Sequence, residues 1–258
     1  MIKFLLQNKA LRKKIIFQLK HNFFSELNYS IPVKSGYWAQ LLEQDSFDPF
    51  SEIFIKGEYL QFLPNEPIHK VLDIGANYGY FSLWLQSVQT DISLQSCLVE
   101  PSTSCKVSLE NLINNEKLHG RFKYIQKAVG NPTDNTTSFY DRPFMASSSF
   151  DDQPFKSFNH VEILKSSDVF DEISAPYDLL KCDIEGSEWE LLNYYEDLIS
   201  LSKFILIEWH SWHTGGGGVK TIEEKLSSLG FKILKQSDSI PAVGRNGYVG
   251  IILATKLR

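Results

Sequence analysis

The chain has 258 residues and a formal net charge of −5, with 43% hydrophobic and 22% charged residues. That length suits one α/β domain with an N-terminal extension and a well-buried core. The acidic balance gives no general attraction to nucleic acid or anionic lipid, and the three cysteines (Cys97, Cys105 and Cys182) lack disulfide or metal-ligand spacing and fit a reducing, cytoplasmic setting.

Residues 1–24 have a helical pattern, with Leu5, Leu6, Leu11, Ile15, Ile16, Leu19 and Phe23 forming an apolar stripe. Lys3, Lys9, Arg12, Lys13, Lys14 and Lys20 give that helix a basic, solvated face; contact with a membrane surface or a partner is the rival reading. Residues 25–68 are mixed and aromatic, and Pro64 and Pro67 mark a boundary, so an extension over 1–66 precedes a main domain over 67–258. From there strands and helices alternate. Strands are predicted over 69–74, 96–100, 122–126, 177–183, 203–209, 231–236 and 248–255, and helices over 80–88, 103–116, 187–198 and 221–229. This pattern predicts a Rossmann-like, mostly parallel seven-stranded sheet covered on both faces. The last two strands have no helix between them and should form an antiparallel hairpin. Residues 131–160, with Pro132, Pro143, Pro154 and a serine run, break the alternation and read as a substrate lid. No stretch has the length and apolarity of a membrane span.

The segment from Val71 to Phe81, with Asp73, Gly75, Ala76, Asn77, Tyr78 and Gly79, runs from an apolar strand through a Gly-x-x-x-Gly turn into a helix. Glycine at the turn lets backbone approach a ligand, and ligands of open α/β sheets sit at the carboxyl ends of the strands. No Gly-Lys-Ser/Thr follows, so a P-loop is excluded. Asp73 before the loop would repel a pyrophosphate but suits the ammonium of a methionine moiety. Glu100, ending the next strand before Pro101, is placed to accept hydrogen bonds from both hydroxyls of a ribose.

Asp73 to Ser82 resembles the opening of FkbM-type methyltransferases. Further matches follow in order at Glu100-Pro101, at Asn111 with Asn114 and Asn115, at Ala128-Val129-Gly130, from Leu180 to Glu188, and from Ile207 to His210. The resemblance spans residues 50–255. It implies a class I, Rossmann-like methyltransferase fold, S-adenosylmethionine as methyl donor, Ala128 and Val129 lining the adenine pocket, and O-methylation of a secondary metabolite or a similar small acceptor.

Methyl transfer asks the protein to align the acceptor, exclude water and, for an alcohol, remove a proton. Tyr78, Tyr80, Trp209 and Trp212 are candidate faces for a sulfonium. Lys181, Asp183 and Glu185 end one strand and share its ligand-bearing edge; a local ion pair is the plain alternative. Glu208 and His210 end the next strand on one face, with His210 as general base, Glu208 orienting it or binding the acceptor, and His213 a weaker candidate. Asp183 also serves the cofactor. A metal ion on Asp183, Glu208 and His210 is the rival reading, disfavoured for Mg²⁺ by the imidazole, and no metal is assigned. Three functions follow: methylation of a small-molecule hydroxyl, methylation of a carboxylate on a small molecule or short peptide, or a non-catalytic module that keeps the fold. Neither a nucleic-acid partner nor a base-methylation motif is expected.

Overall fold

The computed structural model describes residues 29–42, 46–89, 91–139, 159–212, 218–242 and 246–257. The helix expected over 1–24, most of the expected lid, His213 and Gly215 to Gly217 lie outside the described residues. The central sheet contains β3 (Lys70–Ile74), β4 (Gln95–Val99), β5 (Phe122–Ile125), β8 (Tyr177–Cys182), β9 (Ser202–His210), β10 (Phe231–Gln236), β11 (Ile240–Pro241) and β12 (Tyr248–Lys256). Its order is β10-β12-β9-β8-β3-β4-β5, with the two-residue β11 paired to β12, so the sheet has eight strands rather than the seven expected. The pairs among β5, β4, β3, β8 and β9 are parallel, and β12 runs antiparallel between β9 and β10. The final hairpin therefore forms as expected, with its second strand in the interior of the sheet.

Runs such as Lys-Val-Leu-Asp-Ile in β3 and Phe-Ile-Leu-Ile in β9 are apolar on both sides because both faces are covered. One face carries α2 (Tyr80–Val88) and α3 (Lys106–Ile113). The other carries α4 (Ser166–Glu172), α5 (Glu188–Tyr194), α6 (Glu196–Ser200) and α7 (Val219–Ser228). Every residue of α2 from Tyr80 to Ser87 is buried, since the extension closes over its outer side. The described part of that extension combines a hairpin of β1 (Tyr29–Pro32) and β2 (Trp38–Leu41) with helical turns. These are α1 (Phe47–Phe50), the π-helical Ser51–Lys56 that continues it, and a 3₁₀ turn at Leu60–Phe62. Phe47, Phe50, Tyr59 and Phe62 enter the same core as Phe81 and Leu98. Among the described residues no helix is long and apolar enough to cross a membrane.

Three expected elements change shape. The helix expected over 103–116 shortens to Lys106–Ile113, because Ser102 and Ser104 tie the chain into a turn before it. The helix expected over 187–198 divides at Tyr195, whose buried hydroxyl lies 2.7 Å from the Leu164 carbonyl and 3.1 Å from that of Gly130. The ends of the expected lid pair as strands, β6 (Thr136–Phe139) with β7 (Asn159–Glu162).

The chain goes out from β3 through β4 to β5 and returns to β8 on the other side of β3, so the crevice of the fold opens at the carboxyl end of β3. There the backbone of β3 lies hard against that of β8. A Cβ on Gly75 would stand 1.7 Å from the Asp183 carbonyl oxygen, and its φ of +74° is in the left-handed region. Gly75→Ala is expected to cost more than about 3 kcal/mol in urea or thermal unfolding. Gly120→Ala is the control. It has a similar φ of +76°, but the added Cβ meets nothing within 4 Å, so the expected cost is the backbone strain alone, about 1 kcal/mol.

Candidate active site

Two cavities meet at the carboxyl ends of β3, β4, β8 and β9. The first, about 590 Å³, is lined by Ile74, Gly75, Asn77, Val99, Pro101, Val129 and Phe139, with Glu100 and Asp183 as its carboxylates beside Glu185. Glu100 is buried. Its Oε2 accepts the Asn77 N–H at 2.8 Å and its Oε1 the Ser102 N–H at 2.9 Å. Two backbone N–H groups thus orient the carboxylate at the cavity wall. Of the two residues implied for the adenine pocket, Val129 lines this cavity. Ala128 turns away, packs with Phe139 and Val161, and pairs its backbone with Glu162 and Leu164.

Lys181 lines the second cavity. Its ammonium is buried, donates to the Gly75 carbonyl at 2.7 Å, and lies 3.5 Å from Asp73 and 3.7 Å from Asp183. Burial alone would push its pKa down, but Asp73 and Asp183 outweigh it, so the net direction is up and the ammonium stays charged. Asp73 is fully buried behind the loop, accepts from Ser82 Oγ at 2.7 Å, and lines neither cavity. Asp73, expected to serve a ligand ammonium directly or through water, here pairs with Lys181. Asp183, which lines both cavities, is the carboxylate within reach of a ligand.

The second cavity, about 1130 Å³, is acidic. Glu52, Glu58, Asp183, Glu185 and Glu208 face it, together with Tyr59, Ala76, Tyr78, Tyr80, Phe81, Lys181, His210 and Trp212. The Tyr59 hydroxyl lies 2.6 Å from Glu208 Oε2 and 3.3 Å from Asp183 Oδ2. One hydroxyl hydrogen cannot serve both acids. At 2.6 Å Glu208 is the nearer acceptor, although burial and then the Asp183 charge push its pKa well above the usual carboxylate range. Glu58 is pushed up to about 7 by burial, Glu52 and Asp183. Trp209 is corrected from a candidate aromatic face to a core residue beneath β12, close against Gly250, whereas Tyr78, Tyr80 and Trp212 do line the cavity.

His210 is buried, with its Nδ1 2.8 Å from Glu188 Oε1 and its Nε2 3.8 Å from Glu185 Oε2. Burial disfavours the charged ring, but Glu188 and Glu185 more than offset it and push the imidazole up to about 10. Both carboxylates therefore favour the protonated ring over the neutral one that a base role requires. Glu208 does not orient the ring; Glu188 does. The expected metal set also changes: Asp183, Glu185 and His210 come together, while Glu208 is engaged by Tyr59. Cys182 is fully buried, and burial pushes its thiol well above the ordinary range, which makes it inert.

The family model for the methyltransferase FkbM domain matches residues 73–233, from the end of β3 into β10. The chain belongs to the FkbM methyltransferase family. Among solved structures it is similar to methyltransferase FkbM from Methylobacillus flagellatus KT, at 17% identity and a TM-score of 0.51, over 79% of this chain and 47% of that one. It is similar also to a putative transferase from Pyrococcus horikoshii, at 12% identity and a TM-score of 0.51, over 91% and 74% of the two chains. At these identities the likeness is one of fold, and the chain spans about half the length of the FkbM structure, 47%. No curated protein matches.

The methyl donor of this family is S-adenosylmethionine, and the first cavity fits it. It offers an apolar slot, an oriented carboxylate at Glu100, and a loop whose Gly75 leaves no room for a side chain. Several acceptor-side residues carry no sequence signal. Tyr59, Glu52 and Glu58 sit in the aromatic extension, outside the matched residues, and the π-helical turn at Ser51–Lys56 that helps place them has no local signature. Glu188 lies within the matched stretch, but its partnership with His210 joins residues 22 apart in sequence.

The Glu58 shift has a measurable consequence. Its folded pKa of about 7 lies above the ordinary 4.5, so the folded state resists ionisation and stability falls as pH rises from about 4.5 through 7. Glu58→Gln is expected to stabilise the chain by roughly 1–2 kcal/mol above that window, after discounting for partial solvent screening, and to leave it unchanged below. Thermal melts across the window check the sign.

Proposed function

We propose that this chain is an S-adenosylmethionine-dependent O-methyltransferase acting on a hydroxyl of a small molecule. The observation that carries the reading is the meeting of a donor-shaped cavity and an acidic cavity at a shared wall of Gly75, Asn77, Asp183 and Glu185. When bound, S-adenosylmethionine supplies a methyl group already activated by its sulfonium. Glu100 receives the ribose hydroxyls, Val129, Phe139 and Ile184 flank the base, and Asp183 faces the ammonium end and the junction. On the acceptor side Asp183 accepts the hydroxyl proton, while the Tyr59 hydroxyl and the Lys181 ammonium hold its carboxylate in place.

The charge of the second cavity favours a hydroxyl over a carboxylate acceptor. An anionic acceptor would enter a space where acids outnumber the cations Lys181 and His210, and would push the crowded carboxyls Glu58 and Glu208 further toward neutrality. A neutral hydroxyl carries no such cost. The two joined cavities also favour an enzyme over a non-catalytic module.

Calorimetric titration with S-adenosylhomocysteine is expected to show binding that Glu100→Ala abolishes; folded wild-type protein that ignores the ligand would sink the proposal. Release of S-adenosylhomocysteine is then followed over a panel of hydroxyl-bearing and carboxylate-bearing acceptors. Turnover is expected with the former, and turnover confined to carboxylates would overturn the hydroxyl assignment. With a working acceptor, Asp183→Asn is expected to lower kcat by about 10²–10⁴-fold.

A further inference from the structure

We propose that Asp183, Glu185 and His210 form a binding site for a divalent cation of the Mn²⁺ class in the acceptor cavity. One carboxylate oxygen from each acid and one ring nitrogen of His210 lie within 4.8 Å of one another, close enough to coordinate one ion. The set mixes two hard oxygen donors with one imidazole, which suits Mn²⁺ better than Mg²⁺, whose sites are nearly all oxygen.

The histidine is the independent observation. Its side chain is 3% exposed, and its Nδ1 side is occupied by Glu188, which is itself fully buried. Its Nε2 points the other way, to the cavity, and among the described residues its nearest acid is Glu185 at 3.8 Å, beyond hydrogen-bond reach. A carboxylate behind a buried imidazole fixes the tautomer with Nδ1–H donated backward and the Nε2 lone pair forward, which is how proteins support a metal-bound histidine. Metal binding displaces any proton on Nε2, as metal and proton compete for that lone pair. Trp212 steadies both ligands. Its ring centroid lies 4.6 Å from that of His210, and its Nε1 donates to the Glu185 carbonyl at 3.1 Å.

The charge of the cavity supplies the reason for an ion there. Glu52, Glu58, Asp183, Glu185 and Glu208 share the space with two cations, Lys181 and His210, and Lys181 is bound to the loop behind it. A divalent ion offsets this excess and draws an acceptor oxygen to the junction with the donor cavity. The site adds to the methyl-transfer reading but is tested apart from it.

The experiment is Mn²⁺ titration of the purified full chain, read by the loss of the free-ion EPR signal. Wild-type protein is expected to bind, and pulsed EPR of the bound ion is expected to show coupling to a directly ligated imidazole nitrogen. Glu185→Gln and His210→Gln are each expected to weaken binding by about 10–100-fold. If a variant fails to fold, the nitrogen coupling in the wild type still decides. Folded protein that fails to bind Mn²⁺ at millimolar concentration overturns the site. So does binding without nitrogen coupling, or binding unchanged in both folded variants. A parallel S-adenosylhomocysteine titration without metal separates the two ideas: donor binding with no Mn²⁺ site removes only the cation, and no donor binding removes only the methyltransferase reading.

Discussion

The buried ammonium of Lys181 is the interaction on which the site depends. It holds the Gly75 carbonyl, Asp73 and Asp183 together where β3 and β8 end side by side. Each partner has its own reason to be there: Gly75 lets the two backbones touch, Asp73 anchors the charge from below, and Asp183 presents the result to both cavities. Leaving Asp73 unpaired in that interior would cost about 3–5 kcal/mol, so the cation serves the fold and the site at once.

The two cavities solve different problems. The donor cavity works by shape, with a backbone loop too tight for side chains and a carboxylate whose two oxygens are each aligned by an N–H. The acceptor cavity works by charge. Crowded carboxylates cannot all ionise in a space with little water, so protons settle where burial is deepest. Burial pushes Glu208 and Glu58 toward the neutral form, while Asp183 lies 3.7 Å from the Lys181 ammonium and 3.3 Å from the Tyr59 hydroxyl.

How much of this was legible in the sequence follows from the range of each interaction. The turn and carboxylate of the first cavity were legible because their parts are local: Gly75, Asn77 and Gly79 lie on one turn, and Glu100 ends the next strand. Alternation along β8 and β9 correctly brought Lys181, Asp183, Glu208 and His210 to one edge. Alternation gives a face, though, not a partner. It could not tell that Asp73 would be sealed behind Lys181, that Trp209 would pack away from the ligand, or that Glu188 rather than Glu208 would meet His210. The hairpin of β1 and β2 and the pairing of β6 with β7 were hidden for a related reason: short strands beside proline-rich stretches have too few residues to show a period.

The family match and the acceptor chemistry also divide along the chain. The matched residues begin at Asp73 and supply the donor cavity, whereas Glu52, Glu58 and Tyr59 precede them. The extension is nonetheless built into the core, with Phe50 and Phe54 packed edge-on against Tyr80 and Tyr59 edge-on against Phe81, both on the first turn of α2. That turn follows directly from the donor loop. A change in the extension therefore acts on the acceptor through Glu52, Glu58 and Tyr59, and on the donor through the packing of Tyr80 and Phe81. The extension can vary only as far as those aromatic contacts are kept, which confines the freedom to the polar positions that face the cavity.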